Sequence, residues 1–392
     1  MRILVLSSLS YSLVNFRGRL LRAIVAEGHD VVVSAPDRDA EVEAKLARWG
    51  IRFVQTPMSR AGSNPISDLR TLMSYVRLIL TERPGLVVAY TQKPIIYGGL
   101  AVRLVGGCRF FALMSGLGHV FSRAGEERPL LRRLVCKLYR RALRGAETVF
   151  VFNRDDRAEM LRLRILSSHQ RVVQVPGSGV DLDFFRSVPV PSGVPTFLMI
   201  GRYMRDKGIA EFIAAAKIVR QRHPNVRFQL LGRVEDQSPT GISRAEVEQW
   251  SGDAVELIDE THDVSPYLAA STVFVLPSYY REGLPRTILE AMATGRSVVT
   301  TNMPGCREPV TAEVNGLLVR PQCAESLASA LFRFIDEPEL AQRMGKESRR
   351  IAERDYDVTL VNSLLLAEMK LKTRRSAGGA KATTYLATAG GR

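Results

Sequence analysis

A strand–helix alternation that runs twice along the chain limits what it can fold into more than any other feature. In the first run, short apolar and β-branched segments stand at Ile3–Leu6, Val31–Ser34, Arg52–Gln55, Leu86–Tyr90, Phe110–Met114, Thr148–Phe152 and Val172–Val175. Between them, stretches such as Phe16–Glu27 and Ser67–Glu82 carry apolar residues at helical spacing. Strands apolar on both faces and separated by helices predict a parallel sheet covered on each side. Around Val188–Pro195 the pattern stops, where Pro189, Pro191 and Pro195 surround Gly193 and read as a linker. It restarts with strands at Thr196–Ile200, Phe228–Leu231, Val255–Ile258, Val273–Leu276 and Val298–Thr301, and with helices at Ile209–Arg222 and Pro285–Ala293. Two doubly wound α/β domains are expected, 1–187 and 188–372, facing across a cleft at the carboxyl ends of their strands. The last helix has the option of packing back on the first domain. The tail 373–392, rich in Ala, Gly, Thr and Lys/Arg, is expected to be disordered.

A length of 392 residues suits two such domains, each able to bury its own core. The opening Met1–Ser8 is too short for a signal-peptide core and reads as a first buried strand, and no stretch approaches the ~18 apolar residues that a bilayer span needs. Cys108, Cys136, Cys306 and Cys323 form no CxxC pair and no metal-ligand spacing, so a reduced, cytoplasmic protein is expected. The formal charge of +15 is uneven. Residues 1–190 hold 29 basic and 16 acidic side chains, whereas residues 191–370 hold 21 and 24. A field concentrated in one half predicts an anionic partner for that half.

The clearest chemistry lies in the second half. Gly201-Arg202 follows the strand Thr196–Ile200, and Lys207-Gly208 precedes the next helix. An Arg fork, a Lys point charge and free amides at a helix start form a site for a diphosphate; the alternative is a solvated basic loop. The segment Ser278–Glu290 follows another strand. Pro285 suits a first helical position, which leaves Glu282 and Gly283 on the loop and Glu290 in the helix. Eight helical residues span about 12 Å, too far for a close acid/base dyad. The two carboxylates suit different hydroxyls of an extended ligand, although Glu290 alone also reads as a partly exposed helix carboxylate. Gly283 lets a ligand approach the helix-start amides.

Together these residues resemble the retaining glycosyltransferases of the GT-B fold, in the GT4 family. The matching text is Gly201-Arg202, Lys207-Gly208, Glu282 and Glu290 at E-x7-E spacing, Asn302-Met-Pro-Gly305-Cys-Arg-Glu308, Asn315-Gly316-Leu-Leu-Val and Pro176-Gly-Ser-Gly-Val-Asp181. The resemblance implies two Rossmann-like domains and a nucleotide-sugar donor, with UDP favoured over GDP or ADP. It assigns Arg202 and Lys207 to the diphosphate and Glu290 to the ribose. It lays Glu282 and the Gly283–Leu284 amides along the donor sugar. Transfer with retention to a hydroxyl of a lipid-linked or growing polysaccharide acceptor follows from the same resemblance. No carboxylate cluster presents itself as a metal site beside the donor residues, so neither a metal nor another cofactor is expected.

The first half then holds the acceptor. Ser8, Ser10, Ser12 and Asn15 lie on a loop after the first strand and ahead of a helix N-terminus, a second place for anionic or sugar groups, and Lys93 stands where it meets an acceptor phosphate. Gly116 and Gly118 permit close approach, and His119 beside them is a candidate to stand near the reacting hydroxyl or else a hydrogen-bonded structural residue. This Gly-Leu-Gly text resembles transferases that extend lipid-diphosphate-linked sugars. Residues 128–144 contain seven basic and no acidic side chains. Leu131, Leu134, Val135, Leu138 and Ala142 form an apolar stripe, with Arg132, Arg133, Lys137, Arg140, Arg141 and Arg144 around it. Such a helix lies at an anionic membrane surface, here the inner face of the cell membrane, or packs on the sheet with its charges solvated. A nucleotide-sugar epimerase and a phosphorylase on the same fold are the rival enzymes. A nucleic-acid partner is not expected, because no recognition motif accompanies the basic charge.

Overall fold

The computed structural model describes residues 1–59, 64–121, 129–235 and 240–372, with the side chain of His119 outside that description. The tail 373–392, expected to be disordered, lies outside the described residues.

The chain forms two compact units. In chain order, the first unit carries β1 (Arg2–Leu6), α1 (Ser10–Asn15), α2 (Gly18–Ala26), β2 (Asp30–Ala35), α3 (Ala40–Arg48), β3 (Arg52–Gln55), α4 (Pro65–Glu82), β4 (Leu86–Tyr90) and α5 (Gln92–Val105). It continues with β5 (Arg109–Met114), α6 (Pro129–Leu143), β6 (Thr148–Val151), α7 (Arg154–Arg162) and β7 (Val172–Gln174). These strands make one parallel sheet in the order β3-β2-β1-β4-β5-β6-β7. The second unit carries β8 (Thr196–Ile200), α8 (Ile209–Arg222), β9 (Arg227–Gly232), α9 (Arg244–Ser251), β10 (Glu256–Asp259), α10 (Ser265–Ala270), β11 (Val273–Leu276) and α11 (Arg286–Ala293). After these come β12 (Ser297–Thr301), β13 (Gly316–Val319), α12 (Ala324–Asp336) and α13 (Pro338–Ile351), and then α14 (Val358–Glu368), which from Val361 onward belongs to the first unit. The parallel sheet of the second unit has the order β10-β9-β8-β11-β12-β13.

The local reasons are ordinary ones. Strands β4, β8 and β12 are buried along their whole length, which is why their text, Ser297 aside, is apolar or β-branched. Asn64 caps α4 by accepting from the amides of Ile66 and Ser67, with Pro65 in the first turn, and Asp39 caps α3 in the same way. Ser243 and Glu246 cap α9 reciprocally.

The stretch expected to be helical over Phe16–Glu27 forms α2, which starts at Gly18 because Arg17 leaves helical geometry and buries its guanidinium over the rings of Tyr90 and Phe152, at 5.2 and 5.6 Å. Three expectations are corrected. Residues 10–15, expected as a loop, form α1. The short run Gly316–Val319, read only as a motif, is a strand; Gly316 pairs beside Val298, whose carbonyl oxygen a Cβ would overlap. Finally, the chain passes between units after Val175, not at the proline-rich stretch. Pro176–Leu360 groups with the second unit, together with Gly116–Pro129, and residues from Val361 group with the first.

Backbone pairing explains that boundary. The Val180 amide donates to Tyr356 O at 2.8 Å, the Val358 amide donates to Val180 O at 3.0 Å, and Arg349 donates to Phe185 O at 2.9 Å. The completely buried Arg296 fastens the expected linker itself. It donates to Val188 O and Pro189 O at 3.1 and 3.0 Å, and to Leu268 O and Ala269 O at 2.9 and 3.2 Å. Burial pulls its guanidinium down to about 10. Replacing Arg296 with Met leaves those carbonyls unpaired and is expected to destabilise the second unit by about 3 kcal/mol in urea denaturation. A loss below about 1 kcal/mol, the scale of one ordinary hydrogen bond, would show that the clamp is dispensable.

Candidate functional site

In each sheet the strand order reverses once, between β1 and β4 in the first unit and between β8 and β11 in the second. Open α/β sheets bind ligands at such switch points, because the crossovers on either side lead away and leave the strand ends uncovered.

In the second unit the turn after β8 and the loop after β11 are clasped together. The carbonyl of Asp206 accepts from the amides of both Tyr279 and Tyr280, each at 2.9 Å, and from Ser278 Oγ at 3.2 Å. Glu282 Oε1, also 3.2 Å from Ser278 Oγ, is the alternative acceptor for the same hydroxyl proton. Lys207 Nζ forms an ion pair with Glu282 Oε1 in a mostly buried setting, and sits 5.7 Å from the centroid of the Tyr280 ring. Two glycines make these approaches possible. Gly208, at φ +81°, lies where a Cβ would overlap the Pro277 carbonyl oxygen, and Gly305, at φ +78°, where one would overlap that of Glu282. Gly116 and Gly118 belong to the same unit. A Cβ on Gly116 would come within 2.9 Å of the Gly283 amide nitrogen, and one on Gly118 within 3.3 Å of the Tyr280 hydroxyl.

The structure thus brings Lys207 and Glu282 together at the switch point. Arg202 pairs instead with Glu235 at 2.8 Å, on the loop after β9. Gly201 has open space where a Cβ would stand. Leu284 is buried with its side chain against Gly177. Pro285 is the residue before α11, not its first. Glu290 is buried in α11 and meets Arg286 at 3.1 Å, one helical turn away. Burial holds its carboxyl above the ordinary carboxylate range, opposed by the Arg286 charge.

Arg286 had no assigned part in the sequence reading, although its i, i+4 spacing from Glu290 is the signal that finds it. Cys306, also unassigned, is completely buried. Its thiol is pushed up to about 12, by burial first and by the Glu282 charge second. At that value it is an inert packing group.

In the first unit the β1/β4 switch point is closed by side chains. Ser12 Oγ meets Tyr90 OH at 3.0 Å and Ser7 Oγ at 2.9 Å, and Ser10 binds Asp37 through both its amide and its hydroxyl. Ser10 and Ser12 are therefore buried and engaged, which corrects their reading as an open sugar or anion site, whereas Ser8 is half-buried and Asn15 exposed beside them. Lys93 pairs with Asp68 at 2.8 Å, so its charge is already matched where an acceptor phosphate was expected. His119 begins a single helical turn, His119–Phe121; its side chain lies outside the described residues. Among the described residues no cluster of His, Cys, Asp or Glu has the arrangement of a metal site.

The basic helix is α6. Val135, Cys136, Tyr139, Ala142 and Leu143 face inward. Arg132 pairs with Glu159 at 3.0 Å, and Arg140 donates to the carbonyls of Leu163 and Arg164, so these two cations are committed to the fold. Arg133, Lys137, Arg141 and Arg144 are exposed. Leu134, expected in the inward stripe, is more than half exposed, as is Leu130. No described helix is long and apolar enough to cross a membrane.

Two parallel sheets with helices on both faces and a clasped switch point in each define a Rossmann-like enzyme of two units. Comparison with known proteins gives the family. Residues 15–177 match the glycosyl transferase 4-like domain, and residues 194–337 match glycosyl transferases group 1. The chain belongs to this GT4-type family of glycosyltransferases and has its GT-B fold. It is 26% identical over 374 residues, 92% of this chain and 96% of the relative, to the N,N'-diacetylbacillosaminyl-diphospho-undecaprenol alpha-1,3-N-acetylgalactosaminyltransferase of Campylobacter jejuni. To the UDP-Gal:alpha-D-GlcNAc-diphosphoundecaprenol alpha-1,3-galactosyltransferase of Escherichia coli it is 25% identical, over 69% of this chain and 72% of the relative. The fold is shared with HepE of Anabaena, solved with UDP-glucose, at a TM-score of 0.74 and 18% identity over 94% of this chain and 99% of that one.

The raised carboxyl of Glu290 has a consequence for stability. Its folded state holds a proton at a pH where the unfolded chain has released it, so stability falls as pH rises through the unfolded value of about 4.3. Glu290→Gln removes this dependence. Its stability relative to wild type is expected to be more favourable at neutral pH than near pH ~4, measured by urea denaturation at both. The opposite ordering would show that the carboxylate is stabilised where it lies.

Proposed function

We propose that the enzyme transfers a sugar from a nucleotide diphosphate, UDP in preference to GDP or ADP, to a hydroxyl of a lipid-diphosphate-linked glycan, with retention. One observation carries this reading: the Lys207–Glu282 pair at the β8/β11 switch point, one loop away from the amides that open α11. Two relatives spanning most of the chain are named for sugars on diphospho-undecaprenol, which supports the acceptor class.

In this mechanism the donor diphosphate takes Lys207 from Glu282 and Arg202 from Glu235. Exchanging one carboxylate partner for a phosphate keeps each cation paired, so the cations are oriented before the ligand arrives. Glu282, released from Lys207, accepts from hydroxyls of the donor sugar, and Glu290, oriented by Arg286, accepts from the ribose. The bond from the anomeric carbon to the β-phosphate oxygen breaks and the acceptor oxygen bonds to that carbon. The acceptor proton leaves with the departing diphosphate. Arg202, Lys207 and the helix amides stabilise the charge that grows on that leaving group. The exposed cations of α6 hold the protein at an anionic membrane surface, close to the lipid-linked acceptor.

A thermal-shift screen with UDP-, GDP- and ADP-sugars is expected to show stabilisation by the UDP-sugar. Arg202→Ala and Lys207→Ala are each expected to lower transfer at least about tenfold, or ~1.4 kcal/mol, because each removes a charge-assisted contact to the leaving group. Wild-type rates in both would overturn the diphosphate assignment. Transfer is further expected to persist in EDTA; loss of activity that Mg²⁺ or Mn²⁺ restores would require a metal in the mechanism. A phosphorylase would need inorganic phosphate, and an epimerase would convert the donor with no acceptor present.

A further inference from the structure

The 18-residue helix α4 leaves an apolar stripe uncovered. Ile66, Leu69, Met73 and Leu80 are each more than half exposed, at the spacing of one helix face. Arg70 and Arg77 stand among them, also exposed. The acids of α4 are turned elsewhere: Asp68 pairs with Lys93, and Glu82 is buried against Arg2 and Arg52. The outward stripe therefore carries large apolar groups and arginines without a carboxylate.

This helix is part of a wider surface. Crossovers β3→β4, β4→β5 and β5→β6 advance in one direction through the sheet, so right-handed connections put α4, α5 and α6 on the same face. Helix α5 lies against α6, where Arg103 donates to Arg141 O at 2.8 Å and Gly99 abuts Ala142. It packs along α4 on its other side. Leu104 on α5 and Leu130 and Leu134 on α6 repeat the pattern of exposed apolar groups beside cations.

We propose that α4 is a second membrane-contacting element, lying along an anionic bilayer with its apolar groups in the acyl boundary and Arg70 and Arg77 at the lipid phosphates. The inference rests on the membrane attachment proposed above for α6 and adds the element that supplies the apolar part of the contact. Charge selects the occupant. A symmetric contact with a second copy would set this stripe against itself and bring cations to cations with no acid between them. A nucleic acid would meet the arginines but leave the apolar groups unsatisfied. An anionic lipid surface satisfies both, and about 27 Å of helix laid flat gives it a long footprint.

The test is flotation with vesicles of phosphatidylglycerol and phosphatidylethanolamine, compared with vesicles of phosphatidylcholine alone. Wild-type protein is expected to float with the anionic vesicles. Leu69→Glu with Met73→Glu is expected to weaken binding about tenfold or more, while circular dichroism melting stays unchanged. Arg133→Glu with Lys137→Glu on α6 serves as the comparison. Failure of the wild type to float would overturn membrane attachment as a whole. An α4 variant that floats like wild type, while the α6 variant does not, would overturn this inference alone. Met73→Trp gives an independent readout: its fluorescence is expected to be quenched by brominated lipids beyond the wild-type signal, and no added quenching would overturn insertion. Sedimentation velocity that showed a dimer lost in the α4 variant, with flotation unchanged, would assign the stripe to a second copy instead.

Discussion

Where the order of a parallel sheet reverses, neighbouring strands send their crossovers in opposite directions, and nothing from either crossover covers the strand ends between them. The backbone and side-chain groups left there must find partners across the gap or be open to a ligand. The second unit bridges this gap with a single carbonyl, that of Asp206, which accepts from two successive amides of the facing loop. That clasp fixes the distance between the β8 turn and the β11 loop and so sets Lys207 within reach of Glu282. The glycines at 208 and 305 permit the loops to approach, but the shared carbonyl decides where they stop. In the first unit the corresponding gap is bridged by hydroxyls, Ser12 to Tyr90, so the two switch points are built by different means.

How much of this can be read from the chain follows from how far apart the cooperating residues lie. Strands such as Thr196–Ile200 and helices such as Ile209–Arg222 are visible because burial acts on contiguous residues and leaves a local period. The strand at Gly316–Val319 is not visible in that way. Its four residues form a strand because Gly316 fits beside Val298, a contact between residues 18 positions apart. The boundary between units is hidden for the same reason: prolines near Val188 look like a linker, yet a guanidinium from Arg296 holds their neighbours in place. At the candidate site, Lys207 and Glu282 are legible as residue types on adjacent loops. Their mutual pairing, and that of Arg202 with Glu235, are long-range facts that no local pattern carries.

Charge shows the same limit from another side. The excess of cations in the first half suggests a single basic surface, but the structure divides those cations into two populations. Arg132 and Arg140 hold α6 to its neighbours, and Lys93 is matched by Asp68. On α4 and α6 the exposed cations Arg70, Arg77, Arg133 and Lys137 stand beside leucines, an isoleucine and a methionine that a net-charge count does not register. Surface character here depends on which side chains accompany each arginine more than on how many arginines there are.

The return of the chain to the first unit after Leu360 bears on how the protein is made. Leu371 O receives His29, Met369 O receives Arg109, and Glu368 pairs with Arg171, so three partners in the first unit come from α14 and the residues just after it. A ribosome has made the strands of both sheets before those residues appear. The sheet that is synthesised first must therefore wait, incompletely covered, until the second has been made, and the two units mature together although each has a core of its own.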